Sequence, residues 1–251
     1  MATGRDIPPA LVDRRARLAA DTLAAGALLP LDKPSGPSSF AMVALLRRLS
    51  GVRKVGHAGT LDPFADGLLL LLTGPATRRQ DQLMGGDKRY RVTLRLGRES
   101  DSHDRTGTPG PAHDGPLPGR EALEAALPAF GGEGEQIPPM FSAIHVGGKR
   151  LYQLARQGRT VERAPRPVVV HSLELTGWAP PLAELELHCG KGYYVRSLVR
   201  DLGRVLGCGA WVEELRRTAI GDISVESAWR PEELRRELAT RREGTEAAGE
   251  D

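Results

Sequence analysis

Cysteine is nearly absent from this chain: Cys189 and Cys208 are the only two, and no C-x-x-C pair occurs. That excludes a disulfide-stapled scaffold and a thiolate zinc motif, and it predicts two reduced, structural thiols in a cytoplasmic protein. The six histidines are scattered without the spacing of a zinc ligand pair, so no metal is expected. Aromatic residues make up 4 % of the sequence, and lysine supplies five of the 35 basic residues (Lys33, Lys54, Lys88, Lys149, Lys191). Arginine therefore carries the positive charge, and its planar fork suits phosphate. The five leucines at 68–72 are far too few to span a bilayer, and residues 1–25 lack the unbroken apolar run of an export signal. No glycine-rich loop ends in Lys-Ser/Thr, and no second aspartate follows Asp62 by two residues, which argues against a phosphotransferase.

What is present is an ordinary globular composition: 251 residues, 40 % apolar and 27 % charged, with net charge +3 and pI near 9.1. This length supports one main domain, expected over residues 26–230, with an extension at 1–25 and a short tail at 231–251. The mild basicity permits a polyanionic partner without requiring one.

The segment 56–67, GHAGTLDPFADG, holds three glycines and a proline in twelve residues, which rules out a long helix or strand. Pro63 biases Asp62 toward an extended backbone, and Gly67 releases the chain into the leucines, read as a buried strand. Two roles fit Asp62: a turn aspartate bonding its own backbone, or a carboxylate presented at the lip of a core element.

Along the chain, helical spacing predicts a loosely docked helix over 11–25, then a strand over 26–31 and a turn at 32–37. Ser38 or Ser39 caps a helix that Gly51 stops. A helix over 75–84 follows the leucines. Residues 88–96 alternate, with Tyr90, Val92, Leu94 and Leu96 on one face and Arg89, Arg91, Thr93 and Arg95 on the other. A long surface loop over 99–118 and a helix over 120–130 come next. After an irregular arm around 136–150 come a short helix at 151–157, a hairpin of 167–175 with 182–188, and a helix over 194–206. Arg196, Arg200 and Arg204 recur every four residues on that last helix. Arg200 and Arg204 read as a solvated face offset by Asp201. Arg196 sits in the first turn, where the helix dipole opposes a cation, so it calls for a nearby anion. A strand over 211–223 and a charged helix over 231–242 end the pattern.

The blocks LDKPSGPSS, GHAGTLDPFADGLL, GPATR, DKRYRVTLRLG, QIPPMFSAIHVGGKRLYQLARQG, CGKGYYVRSLVRDLG and LGCGAWVEELRR stand in this order between residues 31 and 217. In this the chain resembles the tRNA pseudouridine synthases of the TruB type. The resemblance implies an α/β (α+β) fold with a mixed, largely antiparallel sheet, flanking helices and a central cleft. It implies a cofactor-free isomerase that turns uridine 55 out of the tRNA T-loop and rejoins its C5 to the ribose. Asp62 is then the nucleophile, attacking either the ribose carbon or the pyrimidine ring, and Arg196 is the guanidinium that offsets its burial. Tyr90 lies beneath the base; it also fits the apolar strand face. His57 helps hold the opened T-loop, and Lys33, Lys88, Arg89 and Lys191 are phosphate candidates. Tyr194 and Leu215 line the uracil pocket. Residues 136–158 match the arm that clasps the RNA.

The resemblance also implies a monomer without an obligate protein partner, acting on the T-arm of tRNA. Two departures stand out. The usual C-terminal RNA-binding domain is expected to be absent, and Asp66 adds a second carboxylate, expected to face solvent. The alternatives are a non-catalytic RNA-binding or RNA-folding protein on the same scaffold, and a pseudouridine synthase for another RNA.

Overall fold

The computed structural model describes residues 9–16, 18–142, 145–146, 149–155, 157–159 and 161–247. They divide into two compact units, Met1–Gly86 with Arg216–Asp251, and Asp87–Leu215.

In the first unit β1 (Ala10–Leu11) pairs in parallel with β2 (Ala27–Lys33), and α1 (Ala20–Gly26) lies between them in sequence. Helix α2 (Ser39–Ser50) is capped as the sequence predicts. Ser38 Oγ accepts from Ala41 N at 3.1 Å, and Gly51 closes the helix with φ +72°. Strands β3 (Val55–Ala58) and β4 (Asp66–Thr73) follow, then a 3-10 segment, Gly74–Arg79, and α3 (Gln80–Met84). Both β2 and β3 are antiparallel to β4.

The five leucines explain how this unit is layered. Leu69 and Leu71 enter one core with Leu29, Leu31, Met42, Leu46 and Trp229. Leu68, Leu70 and Leu72 enter another with Ala58, Ala76 and Ile220. A strand covered on both faces needs no polar side, hence its unbroken apolar run. The start of the chain departs from expectation. Residues 10–11 are strand, the helix is confined to Ala20–Gly26, and Val12, Leu18 and Leu23 are buried rather than loosely docked. Those aliphatic side chains cover the same face of β2 that Leu29 and Leu31 occupy.

The second unit begins with β5 (Lys88–Leu96), whose predicted bounds and alternation are observed. It continues through α4 (Arg120–Ala126) and β6 (Gly132–Gln136). Next are the hairpin β7 (His145–Val146) and β8 (Lys149–Arg150), and α5 (Leu151–Ala155). The long strands β9 (Arg166–Ala179) and β10 (Leu182–Cys189) form the predicted hairpin. Helix α6 (Val195–Val205) packs on β5, and β11 (Ala210–Ile220) enters the sheet beside β5. Strands β5, β10, β9 and β6 are antiparallel neighbours. The GEGEQ strand β6 was not expected, because it has no apolar alternation. From Arg216 onward β11 belongs to the first unit, which β12 (Ile223–Ser224) and α7 (Pro231–Ala247) complete. Leu234 and Leu238 of α7 are buried in the core that holds Trp229. Among the described residues no helix is long and apolar enough to cross a membrane.

Gly67 marks the tightest approach in the first unit. It pairs with Arg217 in the parallel register of β4 and β11, has φ +102°, and an added Cβ would strike the Arg217 backbone. Gly67→Ala is expected to lose about 3 kcal/mol in urea unfolding, because strain and collision add. Gly51→Ala, equally left-handed but open, should lose about 1 to 2 kcal/mol. Equal losses would remove the close approach as the cause.

Candidate active site

Residues 59–65 form no helix or strand, yet the backbone there is tied at every step. Arg217, 2 % exposed, donates to Gly59 O (3.0 Å), Thr60 O (3.4 Å) and Leu68 O (2.7 Å). Ser39 Oγ accepts from Leu61 N (2.9 Å) and donates to Leu61 O (3.0 Å). Asp62 O accepts from Ala65 N at 3.2 Å, and Pro63 O accepts from Gly36 N at 2.7 Å. Ser35 Oγ donates to Phe64 O at 2.7 Å. Every carbonyl from 59 to 64 thus has a donor, so the loop that carries Asp62 is held as a strand would be. Leu61 and Phe64 are buried beside it and Asp62 is half-buried.

Lys33, expected to touch phosphate, is a correction. It is fully buried, and Nζ donates to Pro34 O (2.9 Å), Pro37 O (2.9 Å) and Pro63 O (3.2 Å). An ammonium has three protons, so these carbonyls use all of them. Burial pushes its pKa down to about 8, while Asp66 and Asp62 pull it upward. Asp66, expected to face solvent, has a side chain 38 % exposed and is also paired. It accepts from Arg216 Nη1 (3.1 Å), and Arg216 also forks onto Asp32 at 3.1 and 2.9 Å. The parallel pairing of Arg216 with Asp66 brings them side by side. His57 lies half-buried on β3 with Nδ1 sealed and without a hydrogen-bond partner. Burial, then Arg217, lowers its pKa, so it stays neutral at pH 7.

In the second unit Tyr90 is half-buried on β5, opposite Leu187, on the side of Val92 and Leu94. Lys88 is buried, Arg89 and Lys191 are exposed, and Leu215 is buried on β11. Tyr194, just before α6, is locked by Gln136, whose Oε1 accepts from Tyr194 N (2.8 Å) and whose Nε2 donates to Tyr194 O (3.0 Å). Arg196 is 4 % exposed and donates to Phe141 O (2.7 Å) and Ser102 O (3.1 Å), with Asp104 Oδ2 at 3.7 Å. Asp104 is the residue that sequence reasoning missed. It sits in the stretch read as a surface loop, yet it is buried, and Oδ1 accepts from Ser102 Oγ, Thr106 N and Thr106 Oγ1. Its only sequence signal was a density of Asp, Ser and Thr able to bond one another's backbone. Arg200 also departs from the solvated face: it is buried, clasps Asp201 at 2.7 and 2.8 Å, and donates to Ile137 O. Arg204 stays exposed and forks onto Glu99.

His103, between Ser102 and Asp104, has φ +62° and a sealed Nδ1 without a partner. Burial, then Arg200, drives its pKa down to about 4; Glu99 opposes this, and Arg196 and Arg204 add to the lowering.

The family model described as TruB family pseudouridylate synthase, N-terminal domain, matches residues 47–195. The model described as tRNA pseudouridylate synthase B C-terminal domain matches residues 196–248, a stretch that includes α6 from its second residue, β11 and α7. A tRNA pseudouridine synthase B of Syntrophobacter fumaroxidans is 48 % identical over 201 residues, 80 % of this chain and 66 % of that protein. One from Aromatoleum aromaticum is 48 % identical over 80 % of this chain and 65 % of its own length. The chain therefore spans just under two thirds of the length of these two relatives. One from Chlamydia felis is 46 % identical over 79 % of this chain and 84 % of the relative. Among solved structures, an archaeal box H/ACA sRNP Nop10-Cbf5 complex is similar at TM-score 0.65 and 25 % identity, covering 89 % of this chain and 57 % of that one. A Cbf5-Nop10-Gar1 complex is similar at TM-score 0.67 and 25 % identity, covering 88 % and 61 %.

Lys33→Met is expected to lower the unfolding free energy by about 3 kcal/mol, since it strands buried carbonyls. It should leave unchanged the salt dependence of binding to a T-arm RNA. A phosphate contact would instead reduce that slope by about one and spare stability. For His103 the folded pKa of about 4 lies below the ordinary 6.5. Its contribution is thus complete above pH 6.5 and is lost as the pH falls toward 4. In denaturation series from pH 7 to 4, His103→Asn, which tolerates the same backbone, should lose up to about 3 kcal/mol less than the parent protein.

Proposed function

The chain belongs to the TruB family of pseudouridylate synthases, and from that premise we propose that it converts uridine 55 of the tRNA T-loop to pseudouridine, with Asp62 as nucleophile. The observation that carries this reading is the loop at 59–65. A carboxylate is mounted there on a backbone whose carbonyls are all engaged, which is the preorganisation that attack on carbon requires. An aspartate needed only to close a turn would not call for two buried cations beneath it.

The reaction is an isomerisation and needs neither oxidant nor reductant. The bond between N1 and ribose C1′ breaks, the uracil rotates, and C5 bonds to C1′. The proton on C5 is lost, and N1 ends with a proton. Asp62 forms a transient ester-like adduct, at C1′ or at pyrimidine C6, and leaves when the new bond is made. Tyr90 is assigned to stack on the base, with its hydroxyl near the departing C5 proton. Arg196 is assigned as the cationic partner of the carboxylate from its place in the family's motif; in this structure its guanidinium also meets Asp104 and the carbonyls of Ser102 and Phe141.

Turning the base out of its stack costs roughly a few kcal/mol. A stacking group returns about 1 to 3 kcal/mol, and neutral, half-buried His57 suits that task better than a phosphate contact. Arg89 and Lys191 are the exposed cations assigned to the RNA backbone, and Tyr194 and Leu215 are assigned to the uracil pocket. The protein acts in the cytoplasm as a monomer on the T-arm, without cofactor. The likeness to Cbf5 complexes favours one second reading, a different RNA presented with help from other proteins.

Asp62→Asn is expected to keep T-arm binding and to reduce pseudouridine formation more than about 1,000-fold. Retained turnover would falsify the nucleophile. Modification of a bare T-arm stem-loop by the purified protein supports the first reading, and a requirement for added protein supports the second.

A further inference from the structure

On the sheet of the second unit, His171 of β9, His188 of β10 and Asp87, the residue before β5, turn toward one another. The imidazole centroids are 4.6 Å apart. Asp87 Oδ2 lies 3.2 Å from His171 Nε2 and 4.0 Å from His188 Nε2, and one ligand atom from each residue falls within 4.8 Å of the others. We propose that these three residues bind a divalent transition-metal ion of the zinc class, through two imidazole nitrogens and one carboxylate oxygen, with its remaining positions open to solvent.

The sheet register explains how the trio assembles. His188 lies opposite Ser172, but the next residue, Cys189, lies opposite Val170, so His171 is the extra residue of a β-bulge. In a regular strand His171 and Ser172 would face opposite sides. Here both are exposed while Val170 is buried, so the bulge has re-aimed His171 onto the face that His188 occupies. Asp87 reaches the same face diagonally, since Arg89 pairs with His188 and Lys88 with Cys189. The ligands therefore come from three adjacent segments with no motif spacing, which is why the sequence predicts no metal.

The donor set fits the ion. Ligand bonds of about 2.0 to 2.1 Å at tetrahedral angles put neighbouring ligand atoms about 3.4 Å apart. The two separations from Asp87, 3.2 and 4.0 Å, bracket that value, and the imidazole nitrogens, within 4.8 Å of each other, close toward it by side-chain rotation. Two imidazoles and a carboxylate favour zinc, cobalt or nickel over magnesium or calcium. A simple hydrogen bond from His171 to Asp87 accounts for one imidazole. It does not explain why the second presents its Nε2 to the same oxygen. Arg89, on the strand beside His188, opposes a dication, so the affinity should fall below that of a closed four-ligand site. None of the three residues has a part in the proposed reaction. A bound ion would clamp the entry to β5 onto the β9–β10 hairpin.

The test uses the metal-free 251-residue chain, titrated with Co²⁺ by visible absorption and with Zn²⁺ by calorimetry. One equivalent is expected to bind, and Zn²⁺ should raise the thermal midpoint. His171→Gln, His188→Gln and Asp87→Asn should each weaken Zn²⁺ at least about 10-fold and remove the rise in midpoint. His113→Gln, at an exposed position elsewhere, should change neither. Metal-free midpoints close to the parent's show that the variants are folded. The proposal is overturned if the parent protein binds no Zn²⁺ at about 1 mM. It is equally overturned if the His171 and His188 variants bind as tightly as the parent, or if the His113 change abolishes binding.

Discussion

The first unit depends on two cations that water does not reach. Lys33 and Arg217 are 0 % and 2 % exposed, and between them they donate six hydrogen bonds, all to backbone carbonyls. Burying a charge costs several kcal/mol unless its donors are used, and here the turn at 34–37, the loop at 59–64 and Leu68 of β4 supply the acceptors. The dependence runs both ways. Without the cations a loop of glycine and proline would leave carbonyls unpaired, and without the carbonyls the cations would not stay inside. Asp62 is aimed by this exchange although neither cation was recognisable as its support from local sequence.

The second unit handles its buried charge with side chains. Arg196 enters the first turn of α6, where the helix dipole disfavours a cation, and Asp104 together with the carbonyls of Ser102 and Phe141 surrounds it. Asp104 is itself saturated on one oxygen by Ser102 and Thr106, leaving the other toward the guanidinium. Such a chain of satisfied polar groups is rigid because each member has few other places to bond. His103 is carried between them in a left-handed backbone, φ +62°, which few residues other than glycine adopt.

Much of the fold could be read from local pattern. The alternation of β5 and the span of α6 follow from periods of two and 3.6 residues, the cap and stop of α2 from Ser38 and Gly51, the leucine strand from its unbroken apolar run, and the hairpin of β9 and β10 from β-rich segments around a proline turn. The misreadings share one physical cause. Lys33, Arg200 and Asp104 are each buried, and besides their near neighbours each meets a group far away in sequence, Pro63, Ile137 and Arg196, that local pattern does not reveal. Strand β6 escaped because its pairing with β9 comes from the backbone of a glycine and glutamate run, not from buried side chains. At the site, motif and shaped loop together pointed to Asp62, but that Arg217 and Ser39 hold that loop could not be read locally, since each bonds groups far away in sequence.

The double coat around the leucine strand bears on how the polypeptide matures on the ribosome. Leu68 to Leu72 leave the exit tunnel early, whereas Ile220, Trp229, Leu234 and Leu238, which seal their two sides, are translated some 150 residues later. The stretch Asp87–Leu215 is uninterrupted and is fully synthesised first. Leu29, Leu31, Met42, Leu46, Ala58 and Ala76 are at hand early, but the closing part of each coat comes last. That leaves a greasy, β-prone ribbon only partly covered through most of elongation, the segment through which truncated products would clump.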